Sequence, residues 1–219
     1  MPRVTVILPT WNRAEWLERS IESVLRQTFQ DFELFLVDDG STDSTSEIIE
    51  KYFGRIRYIS FLKNRGVSAA RNIAISNSSS EWIAFLDSDD CWHPEKLQKQ
   101  IMYTKIRSDC PIQLTDEIWI RNGIRVNPKK KHQKKEGWIF RPSLELCLIS
   151  PSSVILKREL VEVHGMFDET LPVCEDYDLW LRLTSKYQVA LLKEKLMTRH
   201  GGHVDQLSNS DWGIDRYRV

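Results

Sequence analysis

Three short apolar runs in the first part of the chain each end in a cluster of polar residues. The runs span Val4–Leu8, Phe32–Val37 and Trp82–Leu86, and their length and composition are typical of buried strands. Between the first two runs, apolar residues of 14–25 recur at helical spacing, with Asn12 and Glu15 placed as a capping box. This pattern predicts a β-α-β unit with parallel strands. The polar clusters should therefore meet at one edge of one sheet.

The same rules predict further elements along the chain. They are a helix from Thr42 or Asp43 to about Tyr52, a strand at Ile56–Phe61, helices at Val67–Ser76 and from Pro94 to about Arg107, and a strand at Ile112–Ile120. The parallel pattern ends there, and residues 121–135 read as a loop. No internal repeat or second domain is visible. We therefore expect one α/β domain over residues 1–219, with residues 1–90 and 91–219 as its halves.

The most informative polar cluster is Asp87-Ser88-Asp89-Asp90, which directly follows the third apolar run. Carboxylates this close repel one another unless a cation compensates, and hard oxygen ligands suit Mg²⁺ or Mn²⁺. The chain has no Gly-x-Gly-x-x-Gly after its first strand and no Gly-Lys-Ser/Thr loop, so backbone binding of phosphates is unsupported. The pattern instead favours a metal-bridged nucleoside diphosphate joined to a leaving sugar. The alternative is a surface turn of acids in which Asp90 caps the next helix.

Composition excludes some partners. A chain of 219 residues with 41% hydrophobic residues can bury one sizeable core, and 31 basic against 31 acidic residues give no overall attraction to nucleic acid. The four cysteines have no metal-ligand spacing, and the N-terminus does not resemble a signal peptide. No apolar run approaches the roughly 18 residues that span a bilayer. We expect a cytoplasmic chain with reduced thiols, soluble or peripheral at the inner membrane face.

One local charge run stands out in this neutral chain. It consists of Lys129, Lys130, Lys131, Lys134 and Lys135. The simpler interpretation is a solvated loop. The alternative is contact with phospholipid headgroups or with an anionic acceptor, because basic residues gain about 1 kcal/mol each near an anionic surface.

Five motifs in this order resemble those of family 2 glycosyltransferases with the GT-A fold. They are Val4–Arg13, Val37–Asp43, Gly66–Asn72, Phe85–Asp90 and Glu175-Asp176. The resemblance covers about residues 3–205. It implies a Rossmann-like, mostly parallel central sheet flanked by helices, with a smaller mixed region on the acceptor side. It also implies inverting transfer of a sugar from a nucleoside-diphosphate donor, expected to be UDP-linked, to a carbohydrate or lipid-linked acceptor in cell-surface polysaccharide or glycolipid synthesis.

The resemblance also implies roles for single residues. Residues 1–90 would bind the nucleotide sugar, with contacts from Pro9, Trp11, Arg13, Asp39, Arg71, Asp87 and Ser88. The metal, Mn²⁺ or Mg²⁺, would be held by Asp89 with Asp87, and a histidine after the catalytic segment, His200 or His203, would complete the metal or diphosphate shell. From spacing alone, Asp39-Gly40-Ser41 could equally be only a turn, and Asp38 is expected to be structural.

The catalytic base is expected in the second half of the chain. If residues 173–183 form a helix, Asp176 shares the apolar face of Leu179, Trp180 and Leu183, whereas Asp178 pairs with Arg182 on another face. Partial desolvation at that position raises a carboxylate pKa toward a value useful in general base catalysis. The alternative is an acid favoured only by the helix dipole. The resemblance places the base at this Glu-Asp pair and so supports Asp176.

One base is sufficient for this chemistry. A metal-bound nucleoside diphosphate leaves without protonation, whereas glycoside hydrolysis needs a second carboxylate. Direct displacement would convert an α-linked donor into a β-linked product. Two other classes stay open: a non-catalytic nucleotide- or carbohydrate-binding protein, and a sugar nucleotidyltransferase, which usually has a glycine-rich N-terminal loop.

The C-terminal part gives weaker signals. Histidines at 200 and 203 without partnering cysteines are poor evidence for structural zinc, and the glycines beside them predict a mobile loop that closes over the diphosphate. Residues 212–219 read as the start of a helix, and similar chains often continue beyond such a point.

Overall fold

Residues 1–202 are described by the structure, a computed structural model; His203 and the helix start expected at 212–219 lie outside them. The first half of the chain forms four parallel strands in the order β3-β2-β1-β4. They are β1 (Val4–Thr10), β2 (Phe32–Asp38), β3 (Arg57–Ser60) and β4 (Trp82–Phe85), connected by helices α1 (Ala14–Leu25), α2 (Thr45–Glu50) and α3 (Val67–Ser76). The β-α-β prediction is confirmed.

The second half extends the same sheet with mixed strand directions. Its strands are β5 (Cys91–Trp92), β6 (Ile112–Arg121), β7 (Ile124–Val126), β8 (Val154–Lys157) and β9 (Val189–Gly201). Its helices are α4 (Lys96–Ile106), α5 (Phe140–Ser143), α6 (Arg158–His164) and α7 (Glu175–Thr184). Single turns of 3-10 helix lie at Lys130–His132 and Pro151–Ser153.

Strand pairing brings the two halves together. The order continues from β4 to β8, β6, β9 and β5, with β7 paired to β6 as a hairpin. β8 is antiparallel to both β4 and β6, whereas β6 and β9 run parallel with an irregular register around Asp116. Within residues 1–202 this makes a nine-stranded sheet.

Apolar side chains cover both faces of the sheet. On one face Ile7, Phe35 and Phe85 pack with Trp180 of α7, and on the other Leu8 packs with residues of α1 and α4. Burial on both faces explains why β1 and β4 read as continuous apolar runs rather than alternating ones. No helix among residues 1–202 has the length and apolar character needed to cross a bilayer.

The start of α1 differs from the predicted capping box. Asn12 has a left-handed φ of 50°, and its side-chain oxygen accepts a hydrogen bond from the backbone N–H of Thr42 at 2.8 Å. The N–H of Ala14 instead donates to Asp43 at 3.2 Å. Asp43 also accepts from the N–H of Thr45 at 3.0 Å, but the N-cap of α2 is Ser44 rather than the expected Thr42 or Asp43. A residue distant in sequence therefore caps α1.

Two predicted loops contain regular structure. Residues 121–135 include β7, which turns back from β6 through Asn122 and Gly123, with φ of 48° and 76°. An Asn-Gly pair with two positive φ angles is the strongest short hairpin signal, and the sequence interpretation missed it. The loop expected at 199–202 is also wrong in part, because Arg199–Gly201 is the end of β9 and pairs with β6.

Lys134 does not belong to a solvated or membrane-facing charge run. Its ammonium group lies 2.8 Å from Glu117 and donates to the hydroxyls of Ser150 at 2.9 Å and Ser153 at 2.6 Å. The side chains of Lys134 and Glu117 are only 4% and 7% exposed. Both interpretations of the lysine run are therefore wrong for Lys134. Lys129, Lys130, Lys131 and Lys135 are exposed.

This contact predicts a stability difference within the lysine run. Lys134→Met should lower the free energy of unfolding by about 3 kcal/mol, the lower end of the range for breaking a buried ion pair, because Glu117 keeps other hydrogen-bond donors. The matched control, Lys130→Met, changes an exposed residue and should stay within about 0.5 kcal/mol. Urea unfolding of both variants measures the difference. Equal stability of the two variants would contradict the buried position of Lys134.

Candidate active site

A cavity of about 660 Å³ opens at the carboxyl ends of β1, β2 and β4. Every site residue predicted from the sequence within the described part of the chain lines it. These are Pro9, Trp11, Arg13, Asp39, Arg71, Asp87, Ser88, Asp89, Asp176 and His200. The structure therefore brings the three N-terminal polar clusters and the Glu175-Asp176 segment into one space. Their individual roles stay predictions.

The first two clusters support each other through backbone hydrogen bonds. The N–H of Asn12 donates to the hydroxyl of Ser41 at 2.9 Å, and that of Arg13 donates to the hydroxyl of Thr45 at 3.2 Å. These contacts hold the loop after β1 beside the loop after β2. Trp11, on the first of these loops, stays 49% exposed at the cavity. An exposed indole here can stack on a planar ligand.

Asp38 and Asp39 have different surroundings. Asp38 accepts the N–H of Ser41 at 2.9 Å and so stabilises the turn, as expected for a structural residue. Asp39 accepts the N–H groups of Arg65 at 2.7 Å and Gly66 at 2.9 Å, one on each carboxylate oxygen. Burial raises the pKa of Asp39 although these two N–H groups act to lower it. Each oxygen keeps a second lone pair that a ligand N–H can use.

Gly40 completes this turn for a steric reason. Its φ is 74°, and a Cβ atom there would lie 2.7 Å from the backbone carbon of Lys63. Any larger residue would push away the segment that carries Arg65 and Gly66, the partners of Asp39.

The acidic cluster after β4 is partly buried. The N–H of Asp87 donates to the hydroxyl of Ser152 at 3.1 Å, and the hydroxyl of Ser20 donates to the carbonyl of Ser88 at 2.8 Å. Asp90 is buried, and one of its oxygens accepts the N–H of His200 at 2.9 Å. The alternative of Asp90 as a helix cap is therefore wrong. Burial, and then the charges of Asp89 and Asp87, raise the pKa of Asp90 well above its ordinary value.

The donor set of this cluster fits a hard divalent cation. Asp87 and Asp89 supply carboxylate oxygens, and the backbone contact between His200 and Asp90 brings the histidine to the same cavity. Among residues 1–202, no three His, Cys, Asp or Glu side chains form a complete metal-binding group. This agrees with the usual binding of Mg²⁺ through one or two carboxylates and substrate phosphates rather than an all-protein cage.

Arg71 connects the two acidic segments of the cavity. Its guanidinium group donates to Glu175 at 2.7 Å and to Asp87 at 2.9 Å, and it lies 5.0 Å from the ring centre of Phe167. The side chain is 3% exposed. An arginine at this position can fix the distance between the acids after β4 and the start of α7. The structure therefore shows Arg71 bound to two carboxylates as well as lining the cavity of the predicted nucleotide-sugar residues.

Asp176 lies in the first turn of α7. The helix begins after Cys174, whose left-handed φ of 64° turns the chain sharply into it. The N–H of Tyr177 donates to Asp176 at 2.7 Å, and Asp178 pairs with Arg182 at 2.8 Å as predicted. Burial, and then the charge of Glu175, raise the pKa of Asp176 to about 7, although Arg71 acts to lower it.

Glu175, next to Asp176, is a second acid on the buried side of α7 that the sequence interpretation missed. The sequence places Asp176 on the buried face of the helix and says nothing of Glu175, but the side chain of Glu175 is only 6% exposed and is bound to Arg71. Asp176 is half-buried and makes no ion pair with an arginine or lysine within residues 1–202. Of the two acids, Asp176 is therefore better placed to accept a proton from a bound ligand.

Sequence reasoning missed the wall of the cavity that β6 and β9 provide. Glu117, Trp119, His132 and Arg199 line this wall. Glu117, Trp119 and Arg121 alternate along β6, which is the pattern of one strand face, but the partner strand β9 was not predicted.

Comparison with known proteins gives a consistent result. The model of the family described as Glycosyl transferase family 2 matches residues 5–163. An uncharacterized glycosyltransferase of Rickettsia felis is 34% identical over 203 residues, which cover 89% of this chain and 32% of that protein. The chain thus spans about a third of the length of that relative.

Two further comparisons cover more of the matched protein. The Escherichia coli enzyme WfgD, named UDP-Glc:alpha-D-GlcNAc-diphosphoundecaprenol beta-1,3-glucosyltransferase, is 31% identical, covering 86% of this chain and 72% of its own. The crystal structure of a TarS fragment from S. aureus with UDP-GlcNAc superimposes with a TM-score of 0.83 at 22% identity, covering 99% of this chain and 65% of that one. This likeness confirms the predicted α/β fold class.

Proposed function

This chain belongs to glycosyl transferase family 2, and from that membership we propose that it transfers a sugar from a UDP-linked donor to a hydroxyl acceptor with inversion. The observation that carries the proposal is that the acids after β4 and Asp176 at the start of α7 line the same cavity. The diphosphate of a donor needs the acids after β4, and the hydroxyl of an acceptor needs Asp176. Residues 1–90 would bind the donor, and residues 91–219 would supply the acceptor side and the base.

The names of the matched proteins support the choice of substrates. WfgD is named for UDP-glucose and a diphosphoundecaprenol-linked acceptor, and TarS was solved with UDP-GlcNAc. We therefore assign the chain to cell-surface polysaccharide or glycolipid synthesis with a carbohydrate or lipid-linked acceptor. Such an acceptor agrees with a cytoplasmic location at the inner membrane face, where the exposed Lys129, Lys130, Lys131 and Lys135 would meet headgroups.

In this proposal the donor side binds and orients the nucleotide sugar. Trp11 stacks on the base, Asp39 accepts a base N–H, and Pro9, Arg13, Arg71 and Ser88 complete the pocket. Asp89 with Asp87, assisted by His200, would hold Mn²⁺ or Mg²⁺. Such a cation, when bound, neutralises the charge of the leaving diphosphate.

Asp176 acts on the acceptor side. Its carboxylate removes the proton of the acceptor hydroxyl while the oxygen forms a bond to the anomeric carbon and the bond to the diphosphate breaks. The pKa of about 7 means that this carboxylate is largely ionised at slightly alkaline pH and still basic enough to take a proton. A non-catalytic binding protein would need no such group, so the position of Asp176 favours the enzyme.

The proposal is tested first by ligand binding. Thermal stabilisation by a panel of nucleotide sugars in Mn²⁺ should identify the donor, and the same donor should then release its nucleoside diphosphate in the presence of an acceptor. Stabilisation by no nucleotide sugar would contradict the donor site. Stabilisation without transfer to any carbohydrate or lipid-linked acceptor would favour the binding protein.

Asp89→Ala should remove the metal dependence of nucleotide binding. In Mn²⁺ the variant is expected to bind UDP at least about tenfold more weakly than the parent, and a chelator should weaken the parent to the same level, because one carboxylate ligand is lost. The comparison variant is Asp39→Ala, which should weaken UDP binding but keep the response to the chelator. Isothermal titration of the three proteins, each with Mn²⁺ and with a chelator, measures the six affinities. Tight, chelator-insensitive binding by both the parent and Asp89→Ala would contradict the metal assignment.

A further inference from the structure

Two arginines lie beside the same aromatic ring on the wall formed by β6 and β9. The guanidinium carbons of Arg199 and Arg121 are 5.5 Å and 5.9 Å from the ring centre of Trp119. Trp119 and Arg199 are direct partners in the parallel pairing of β6 and β9, and all three residues line the cavity. The three side chains therefore form a compact basic and aromatic surface.

Neither arginine has a carboxylate partner within the described residues. No ion pair or hydrogen bond joins Arg121 or Arg199 to a side chain of residues 1–202, and their contacts with Trp119 are cation–π contacts. This differs from Arg71, which is bound to two carboxylates. A guanidinium group stays protonated in proteins, so Arg199 keeps its positive charge. A partly buried guanidinium group without an ion pair is available for a ligand oxyanion.

The field at His132, on this wall, is positive. His132 packs against Trp119 with ring centres 5.3 Å apart. Burial, and then the charges of Lys131, Arg199, Lys129 and Arg121, lower the pKa of His132. Glu117 forms an ion pair with Lys134, with 2.8 Å between the ammonium nitrogen and the carboxylate oxygen. Glu117, the acid in contact with the Trp119 indole, is therefore already paired with a cation.

The orientation of Trp119 is fixed by the buried network behind it. Its indole N–H donates to one oxygen of Glu117 at 2.6 Å, and the other oxygen accepts from Ser150 at 2.6 Å and from Lys134. A ring held in this way also fixes the places of the two guanidinium groups that contact it. The network also explains why Lys134 is buried in the otherwise exposed lysine run.

We propose that Trp119, Arg121 and Arg199 form an acceptor subsite that binds a phosphate group of the acceptor, beside the hydroxyl that is glycosylated. The inference rests on the proposed function and adds the chemical class of the acceptor. Two planar guanidinium groups match the oxygens of a phosphodiester or diphosphate in charge and geometry.

The strand order separates this surface from the donor side. The predicted nucleotide residues follow β1 and β2, and the acids follow β4, whereas Trp119 and Arg199 lie on β6 and β9. β1 and β6 are three strand spacings apart, about 14 Å at the usual spacing. In the strand order, the acids after β4 therefore lie between the predicted nucleotide residues and the proposed phosphate subsite.

The test uses the full chain with its donor side filled. At saturating UDP and Mn²⁺, binding of glucose 1-(methyl phosphate) is compared with that of methyl glucoside, which lacks the phosphate. The parent should bind the phosphodiester at least about tenfold more tightly, a modest value for charge-assisted hydrogen bonds. Arg199→Met should remove this preference while its own affinity for UDP in Mn²⁺ stays within about twofold. Arg199→Lys, which keeps the charge, should restore part of the preference.

Arg125→Met is the matched control, because Arg125 is exposed on β7 and does not line the cavity. It should behave as the parent with both probes. A parent that binds the two probes equally, or binds neither, would overturn the subsite. Loss of UDP affinity in Arg199→Met with the probe preference intact would assign Arg199 to the donor diphosphate instead. Failure of the parent to bind UDP would be a failure of the proposed function and is measured separately.

Discussion

Asp176→Asn should reduce the rate of sugar transfer by about 100-fold or more, which is the range for loss of a general base. Asparagine keeps the size of the side chain and its hydrogen bond to the N–H of Tyr177, but it cannot accept the proton of the acceptor. The affinity for UDP in Mn²⁺ should stay close to that of the parent. Initial rates and UDP titrations of the same preparation measure the two quantities.

The matched control is Asp178→Asn in the same helix turn. Asp178 is bound to Arg182 at 2.8 Å and does not line the cavity, so transfer should remain near the parent rate. Near-normal transfer by Asp176→Asn would remove Asp176 from the mechanism. Glu175, its neighbour in the cavity, would then be the next candidate for the base.

The same assignment predicts a pH dependence. The base works when deprotonated, so kcat/KM of the parent should rise as pH increases and level off above the pKa of Asp176, about 7. Glu175 and Asp87 act to raise this pKa and Arg71 acts to lower it. In Asp176→Asn the residual kcat/KM should no longer show this rise with pH. If kcat/KM of the variant still rises with pH in the same range, the titrating group is not Asp176.

Arg71→Met should be the most destabilising of these substitutions, with a loss of about 5 kcal/mol in the free energy of unfolding. This is the upper end of the range for breaking a buried ion pair, and Arg71 has two carboxylate partners. Glu175, 6% exposed, would lose its cation in a nearly water-free position, whereas Asp87, 34% exposed, is partly screened by solvent. Removal of the guanidinium group also removes its contact with Phe167.

Urea unfolding of three variants separates this effect from a general loss of charge. Arg26→Met removes an exposed pair with Glu22 and should change stability by less than about 0.5 kcal/mol. Arg71→Lys keeps one charge but not the two-pronged geometry, so its stability should lie between that of the parent and that of Arg71→Met. A loss below about 1 kcal/mol in Arg71→Met would contradict the central position of this residue.

The first half of the fold could be predicted because its signals are local. Each strand of β1, β2 and β4 is a single apolar run, and α3 begins and ends at Val67 and Ser76 as predicted. Because the carboxyl ends of parallel strands lie at one edge of a sheet, the polar clusters that follow these strands could be predicted to meet there. Nothing beyond chain order was needed for that step.

The second half depends on contacts between residues distant in sequence. β8 has only four residues, and the apolar part of β9 is interrupted by the exposed segment Lys193–Lys195. Lys134 and Glu175 were misjudged for a similar reason. The partner of Lys134 is Glu117, and that of Glu175 is Arg71, 104 residues earlier. Charge patterns along the chain do not reveal such pairs.

The anomeric configuration of the product is the most direct test of the account as a whole. With an α-linked nucleotide sugar as donor, the proton coupling constant at the anomeric carbon of the new linkage distinguishes the two stereochemical outcomes by NMR. Direct displacement by a hydroxyl that Asp176 has deprotonated predicts a β-linked product. An α-linked product would contradict the single-base mechanism.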